Sequence, residues 1–152
     1  MPISRNLDDL TPDLKALCVD LIERARFDGI RIKIICTMRT FDVQVAYYSR
    51  GRLPLKAVNY LYEQAGMGAI TPAQNRSKVT WTLESKHLPD ADGQARAFDF
   101  VIIGQNGLEW NPKVDTNHDG EPDWQELAEI GKALGLRTGY DWGDLGHMEM
   151  PS

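Results

Sequence analysis

Ala97-Phe98-Asp99-Phe100-Val101-Ile102-Ile103 is a run of β-branched and aromatic residues interrupted by one carboxylate, and Gly104-Gln105-Asn106-Gly107 turns the chain directly after it. The run predicts a strand. Its single acid is the informative residue, because an unpaired carboxylate inside an apolar strand is costly. Asp99 therefore either pairs with a cation or faces out of the sheet. Ile30 to Thr37 and Lys78 to Leu83 are further β-rich runs, and the tail Trp142 to Met150 ends in a short strand.

Helical spacing dominates elsewhere. Thr11-Pro12 reads as the cap and first position of a helix whose apolar face is Leu14, Leu17, Cys18, Leu21, Ile22 and Ala25, with Gly29 as its stop. Phe41 to Tyr48 and Ala57 to Gln64 predict two short helices around the turn-prone Gly51-Arg52-Leu53-Pro54, and Gly66 to Arg76 reads as a loop. Trp124 to Leu134 is a fourth helix, ended by Gly135. Helices gather in the first half and strands around the second. This predicts an α+β fold in a single domain over 1–152, with a small antiparallel sheet and helices packed mainly from the N-terminal half.

A chain of 152 residues, 42% hydrophobic and 26% charged, suits one globular domain with a real core. No apolar run is long enough to span a bilayer. The opening MPISRNLDDL holds acids and no apolar h-region, so no secretory signal is expected. Cys18 and Cys36 do not make a disulfide framework and read as small core residues. A net charge of -5 provides no basic field for nucleic acid or an anionic membrane. The expected state is a monomer.

Only three histidines occur, so each is informative. His87 precedes a polar stretch leading to the strand with Asp99, and His147 lies near the C-terminus. Hydrolytic zinc usually takes three ligands from His, Asp or Glu and keeps a fourth position for water. His87, Asp99 and His147 would supply that set.

Ser85-Lys86-His87, Ala95-Arg96-Ala97-Phe98-Asp99-Phe100 and Asp144-Leu145-Gly146-His147 together resemble the zinc peptidases grouped as lysostaphin, D-Ala-D-Ala metallopeptidases and sonic hedgehog. Within the group the likeness is greatest to the phage L-alanyl-D-glutamate endopeptidases, VanY-like endolysins. Met38-Arg39-Thr40-Phe41, Gln44 and Tyr47-Tyr48-Ser49-Arg50-Gly51-Arg52 extend the resemblance upstream, so that it covers most of the chain from Thr37. It implies zinc on His87, Asp99 and His147, Asp144 as the catalytic acid and base, and Arg39 as the cation that stabilises the tetrahedral intermediate. It implies substrate contact or support of the ligands from Ser85 and Gln44. His87 and Asp99 stand twelve residues apart, more than the commoner family spacing. The insertion brings Asp90 and Asp92 as alternative carboxylates, although Asp99 keeps the Ala-x-Asp context.

A second metal pattern lies downstream. Asp115-Thr116-Asn117-His118-Asp119-Gly120-Glu121-Pro122-Asp123-Trp124-Gln125-Glu126 fits the twelve-residue calcium loop. Asp115, Asn117, Asp119, Glu121, Asp123 and Glu126 are the candidate ligands, Gly120 takes the sharp-turn sixth position, and His118 points away from the ion. A helix follows the loop and none precedes it, so the pattern is half of an EF-hand. The rival reading is an acidic turn that caps the helix through Asp123. Its five acids account for the whole charge excess: without them the remaining acids equal the 17 bases.

The resemblance makes the chain a zinc peptidase acting on peptidoglycan stem peptides, expected to cut the L-Ala to D-Glu bond. As a phage endolysin it would be made in the host cytoplasm and reach the cell wall after release, with calcium regulating activity. The alternatives are a D-Ala-D-Ala carboxypeptidase and a noncatalytic calcium module with a vestigial zinc site.

Overall fold

The run around Asp99 becomes β2 (Ala97–Gly104), the spine of a five-stranded sheet in the computed structural model, which describes residues 2–152. On one edge of β2 lies β1 (Ile32–Cys36); on the other lie β3 (Gly107–Glu109) and β5 (His147–Glu149), and β4 (Arg137–Thr138) continues the sheet beyond β5. Every pairing is antiparallel. Side chains alternate across a strand, so Phe98, Phe100 and Ile102 enter the core together while Asp99 takes the opposite face.

The apolar face of β2 is covered by two helices. From α1 (Pro12–Phe27) come Leu14, Cys18, Leu21 and Ala25, all fully buried as their spacing predicts. From α4 (Asp123–Ala133) come Trp124 and Leu127, with the Trp124 ring stacked 5.8 Å from that of Phe100. Burial pushes the Cys18 thiol up to about 12, so this cysteine is a small core residue. Between α2 (Phe41–Ser49) and α3 (Leu55–Gln64) a smaller core forms around Val43, Ala46, Val58 and Tyr62. Among the described residues no helix is long and apolar enough to cross a membrane.

The segment Lys78 to Leu83, expected as a strand, is irregular. Its large apolar side chains find no sheet to pack on: Val79, Trp81 and Leu83 are exposed. The Thr82 carbonyl is taken instead by the Gln44 side chain, 2.7 Å away. Strand preference reflects fit to a half-buried pleated surface, and no such surface is offered here. At the first helix Thr11 is the cap residue but makes no capping hydrogen bond with its side chain, and the Leu14 N–H donates to Asp13 Oδ1 at 2.9 Å.

The approach of β5 to β2 depends on Gly146. A Cβ there would stand 2.1 Å from the Phe100 carbonyl oxygen, and the Gly146 carbonyl accepts the Phe100 N–H at 2.9 Å. Gly146→Ala is expected to destabilise the fold by at least about 1–3 kcal/mol through overpacking against backbone. A thermal melt reads this directly, and an unchanged melting temperature would contradict the contact.

Candidate metal centre

Directly opposed residues of antiparallel strands point to one face. Asp99 pairs with Cys36 on β1 and with His147 on β5, which sets the three in a row across the polar face of the sheet. Cys36 joins the row only because the register shifts between Ile34 and Cys36, the local effect of a bulge. It is buried, as expected, but it borders the site, with Sγ 3.7 Å from His87 Nδ1. His87 arrives from a turn in which its N–H donates to Ser85 Oγ at 3.1 Å and its carbonyl accepts the Arg39 N–H at 3.0 Å.

Three acceptor atoms converge at this point. His87 Nε2 lies 3.2 Å and His147 Nδ1 3.0 Å from Asp99 Oδ1. The other nitrogen of each ring is committed: His87 Nδ1 donates to the Thr37 carbonyl at 2.8 Å, and His147 Nε2 donates to Glu149 Oε1 at 2.8 Å. Those partners leave lone pairs on His87 Nε2 and His147 Nδ1, both aimed at a carboxylate oxygen. Although it is near Asp99, His87 Nε2 is buried without a hydrogen bond. Two imidazole lone pairs and a carboxylate around one point are a donor set for a cation. Two nitrogens and one oxygen suit zinc, and the three donors leave a coordination position open. Burial opposes charge on His87, yet the Asp99 carboxylate lifts it to about 10, so Nε2 holds either that proton or a cation in its place. Burial likewise opposes ionisation of Asp99, but the two imidazoles hold it well below the usual carboxylate range.

The structure brings together His87, Asp99 and His147 and leaves the alternatives aside. Asp90 spends Oδ1 on the Asp92 and Gln94 N–H groups, at 2.9 and 3.0 Å, within its own loop. Arg39 is at the site: Nη2 lies 3.4 Å from Asp99 Oδ2, and Nη1 donates to Gln44 Oε1 at 3.0 Å. Asp144 lies on the exposed turn before β5, near enough to feel the charges of Asp99, His147, His87 and Arg39. Partial withdrawal from water, helped by the Asp99 charge, raises its pKa above the ordinary value. Gly139 makes room for that turn, since a Cβ on it would meet the Asp144 carbonyl at 2.3 Å and the His147 Cβ at 2.8 Å.

Of the two tasks expected for Gln44 and Ser85, substrate contact or support of the ligands, the geometry favours support. Gln44 is fully buried, with Oε1 on Arg39 and Nε2 on Thr80 Oγ1 and the Thr82 carbonyl. It positions Arg39 and the 78–83 loop and has no surface left for substrate. The Ser85 hydroxyl is likewise engaged with the His87 N–H, so its part is to hold the ligand turn.

No protein-family model matches the chain. It is 30% identical over 146 residues to the peptidoglycan L-alanyl-D-glutamate endopeptidase CwlK of Bacillus subtilis, a match spanning 93% of this chain and 74% of CwlK. The chain belongs to the peptidoglycan L-alanyl-D-glutamate endopeptidases. Its structure is similar to that of the L-Ala D-Glu endopeptidase ChiX of Serratia marcescens, with a TM-score of 0.53 over 98% of this chain and 86% of ChiX. At 15% identity that likeness is one of fold.

Set in this endopeptidase family, the site contains two residues beyond the set expected from sequence. Glu149 fixes the His147 ring, and the Thr37 carbonyl does the same for His87. Alternation puts Glu149 two residues beyond His147 on the same strand face, a placement that also suits an ordinary edge-strand acid and by itself does not select the residue. For Thr37 there was no signal, because a backbone carbonyl carries no sequence mark. Such partners orient ligand imidazoles, and Glu149→Gln is expected to cost about 10–100-fold in zinc affinity, read by competition with a chelator. Unchanged affinity would deny Glu149 this role.

The acidic loop is separate from that centre. Asp115 accepts the Asp119 and Gly120 N–H groups at 3.2 and 2.9 Å, and Asp119 accepts that of Glu121 at 2.9 Å. Asp123 does not cap α4: it is the helix's first residue, and its Oδ2 accepts the Thr116 N–H at 3.0 Å. Ligand oxygens of Asp115, Asp123 and Glu126, and again of Asp119, Glu121 and Glu126, lie within 4.8 Å of one another. Asn117 Oδ1, Asp123 Oδ1 and Glu126 Oε1 are buried without partners. Burial and the neighbouring Asp119 push Glu126 up to about 8. His118 has φ 56, a left-handed conformation.

Proposed function

We propose that the protein is a zinc-dependent peptidoglycan endopeptidase that cuts the L-Ala to D-Glu bond of the stem peptide. The convergence of His87 Nε2, His147 Nδ1 and Asp99 Oδ1, each ring held by a partner on its far side, supports the chemistry. Zinc supplies Lewis acidity and lowers the pKa of a water toward ~7. Asp144, on the turn beside the donors, takes the proton of the attacking water and passes one to the leaving amine. The Arg39 guanidinium, held by Gln44, faces the negative charge that develops on the carbonyl oxygen. The choice of bond rests on membership of the family.

Mass spectrometry of digested muropeptides tests it. The expected products are glycan-linked L-Ala and a peptide with a new D-Glu amino terminus. Loss of a terminal D-Ala would instead identify a D-Ala-D-Ala carboxypeptidase, and wall lysis unaffected by substitution of His87 or Asp144 would favour a noncatalytic module. We assign the protein further to phage lysis, on the resemblance of its motifs to the endolysins: it is made in the host cytoplasm and reaches the wall after release. Bacteria producing it should lyse when the membrane is permeabilised by a second protein; lysis without that protein would overturn the assignment.

We also infer that the 115–126 loop takes calcium. Its support is the set of partnerless oxygens on Asn117, Asp123 and Glu126, buried beside the further carboxylates of Asp115, Asp119 and Glu121. The loop is tied to the end of α1 through Asn117 Nδ2, which donates to the Asp28 carbonyl at 2.8 Å, and it leads into α4, whose chain runs on to the catalytic tail. Calcium at about a hundred times its dissociation constant is expected to stabilise the fold by ~2.7 kcal/mol. Glu126→Gln should abolish that rise in melting temperature and lower activity with zinc content intact. Equal stability with and without calcium would refute the site, and equal activity would refute its regulatory role.

A further inference from the structure

One charged group beside the metal centre has no task in the chemistry so far. Arg137 is half exposed, and its Nη1 is 3.4 Å from Glu149 Oε2. That same oxygen has a closer partner in Lys86 Nζ at 2.7 Å, and the other Glu149 oxygen is held by His147 Nε2 at 2.8 Å. With His147 in the neutral form that ligates metal, two cations thus share one carboxylate, leaving one positive charge in excess. The Arg137 guanidinium also lies over the indole of Trp142, with Cζ 5.2 Å from the ring centre. Trp142 is 48% exposed, and its ring stands 5.9 Å from that of His147. A planar cation is therefore held against an open aromatic face, one ring away from a metal ligand. Arg39 is placed differently: it is only 12% exposed and is engaged with both Asp99 and Gln44.

The substrate requires such a group if the bond cut is that of L-Ala and D-Glu, the reading on which this inference rests. The stem peptide continues from the D-Glu side-chain carboxyl, so its α-carboxylate is free. It sits on the same carbon as the leaving nitrogen and must lie close to the metal when the bond is attacked. Burying it there without a cation would be costly, and a guanidinium can receive it through two parallel N–H donors.

We propose that Arg137, backed by Trp142, forms the subsite for this α-carboxylate and so makes the enzyme specific for D-Glu over D-isoglutamine, in which that carboxylate is an amide. The test uses two synthetic stem peptides that differ only in this group. The wild-type enzyme should cleave the acid with kcat/KM about 10–100-fold above the amide. Arg137→Met should erase the difference by raising KM for the acid, leaving the amide and the zinc content unaffected. Arg137→Lys should restore part of the preference, because it returns the charge without the fork. Equal cleavage of both peptides by the wild type, or equal loss on both in Arg137→Met, overturns the subsite while leaving the endopeptidase reading intact. Cleavage of neither by the wild type overturns that reading and the subsite with it.

Discussion

Asp144→Asn is expected to lower kcat by about 10²–10⁴-fold, the usual contribution of a positioned general acid and base, while zinc content and melting temperature stay at wild-type values. The substitution is nearly isosteric, and the turn that positions residue 144 is held through backbone. The Asp144 N–H donates to the Gly139 carbonyl at 2.8 Å, and the Asp144 carbonyl accepts the His147 N–H at 3.3 Å. Both bonds survive in Asn. What is lost is a carboxylate able to take a proton, so the effect should fall on kcat with little change in KM. Single-turnover kinetics on a purified stem peptide, with metal analysis of the same sample, separates this from a structural defect. A loss smaller than about tenfold would assign proton transfer to another group.

Arg39→Ala should cost about 10²–10³-fold in kcat, the range for removal of one preorganised group that stabilises a developing oxyanion. The guanidinium is fixed from three sides, by Gln44, by Asp99 and by the Tyr47 ring 5.1 Å from Cζ. It therefore needs little reorganisation during the reaction. Its loss also removes a positive charge 3.4 Å from Asp99, so zinc should bind no more weakly than before. This combination of retained metal and lost turnover distinguishes an electrostatic role from a structural one. Arg39→Lys should recover only a fraction of the rate, since an ammonium cannot reach Gln44 and Asp99 at once. If Arg39→Ala kept wild-type kcat, the oxyanion role would be wrong; if it lost zinc, Arg39 would be a support of the ligands.

The elements with strong periodicity were legible in the chain. The apolar spacing of Leu14, Cys18, Leu21 and Ala25 implied α1, and their burial follows from it. Asp99 between two phenylalanines implied a strand with one special face, which β2 has. Lys78 to Leu83 was misleading because its β-forming residues lacked a surface to pair with, and the Gln44 side chain took backbone acceptors that a sheet would have used. The three candidate metal donors were legible because only three histidines occur and Asp99 is the one acid inside an apolar strand. For Gln44 the sequence left substrate contact and support of the ligands both open, since it carries no record that a side chain is fully buried.

By itself, the order of residues set out the groups available to this protein: two histidines and an aspartate of metal-donor type, an acid three residues before the second histidine, and an acidic loop at EF-hand positions. It determined the strands and helices wherever a single period of 2 or 3.6 ran long enough to define a buried face. The tertiary structure alone decided how those groups are used. A bulge in β1 sets Cys36 opposite Asp99 and brings the Thr37 carbonyl to His87, pairing of β5 with β2 sets His147 opposite Asp99, and the small size of Gly139 and Gly146 lets the turn bearing Asp144 close onto the sheet. Such features depend on distances between segments far apart in the chain. Local propensity cannot encode them, because the free energy that selects them arises only when the segments pack.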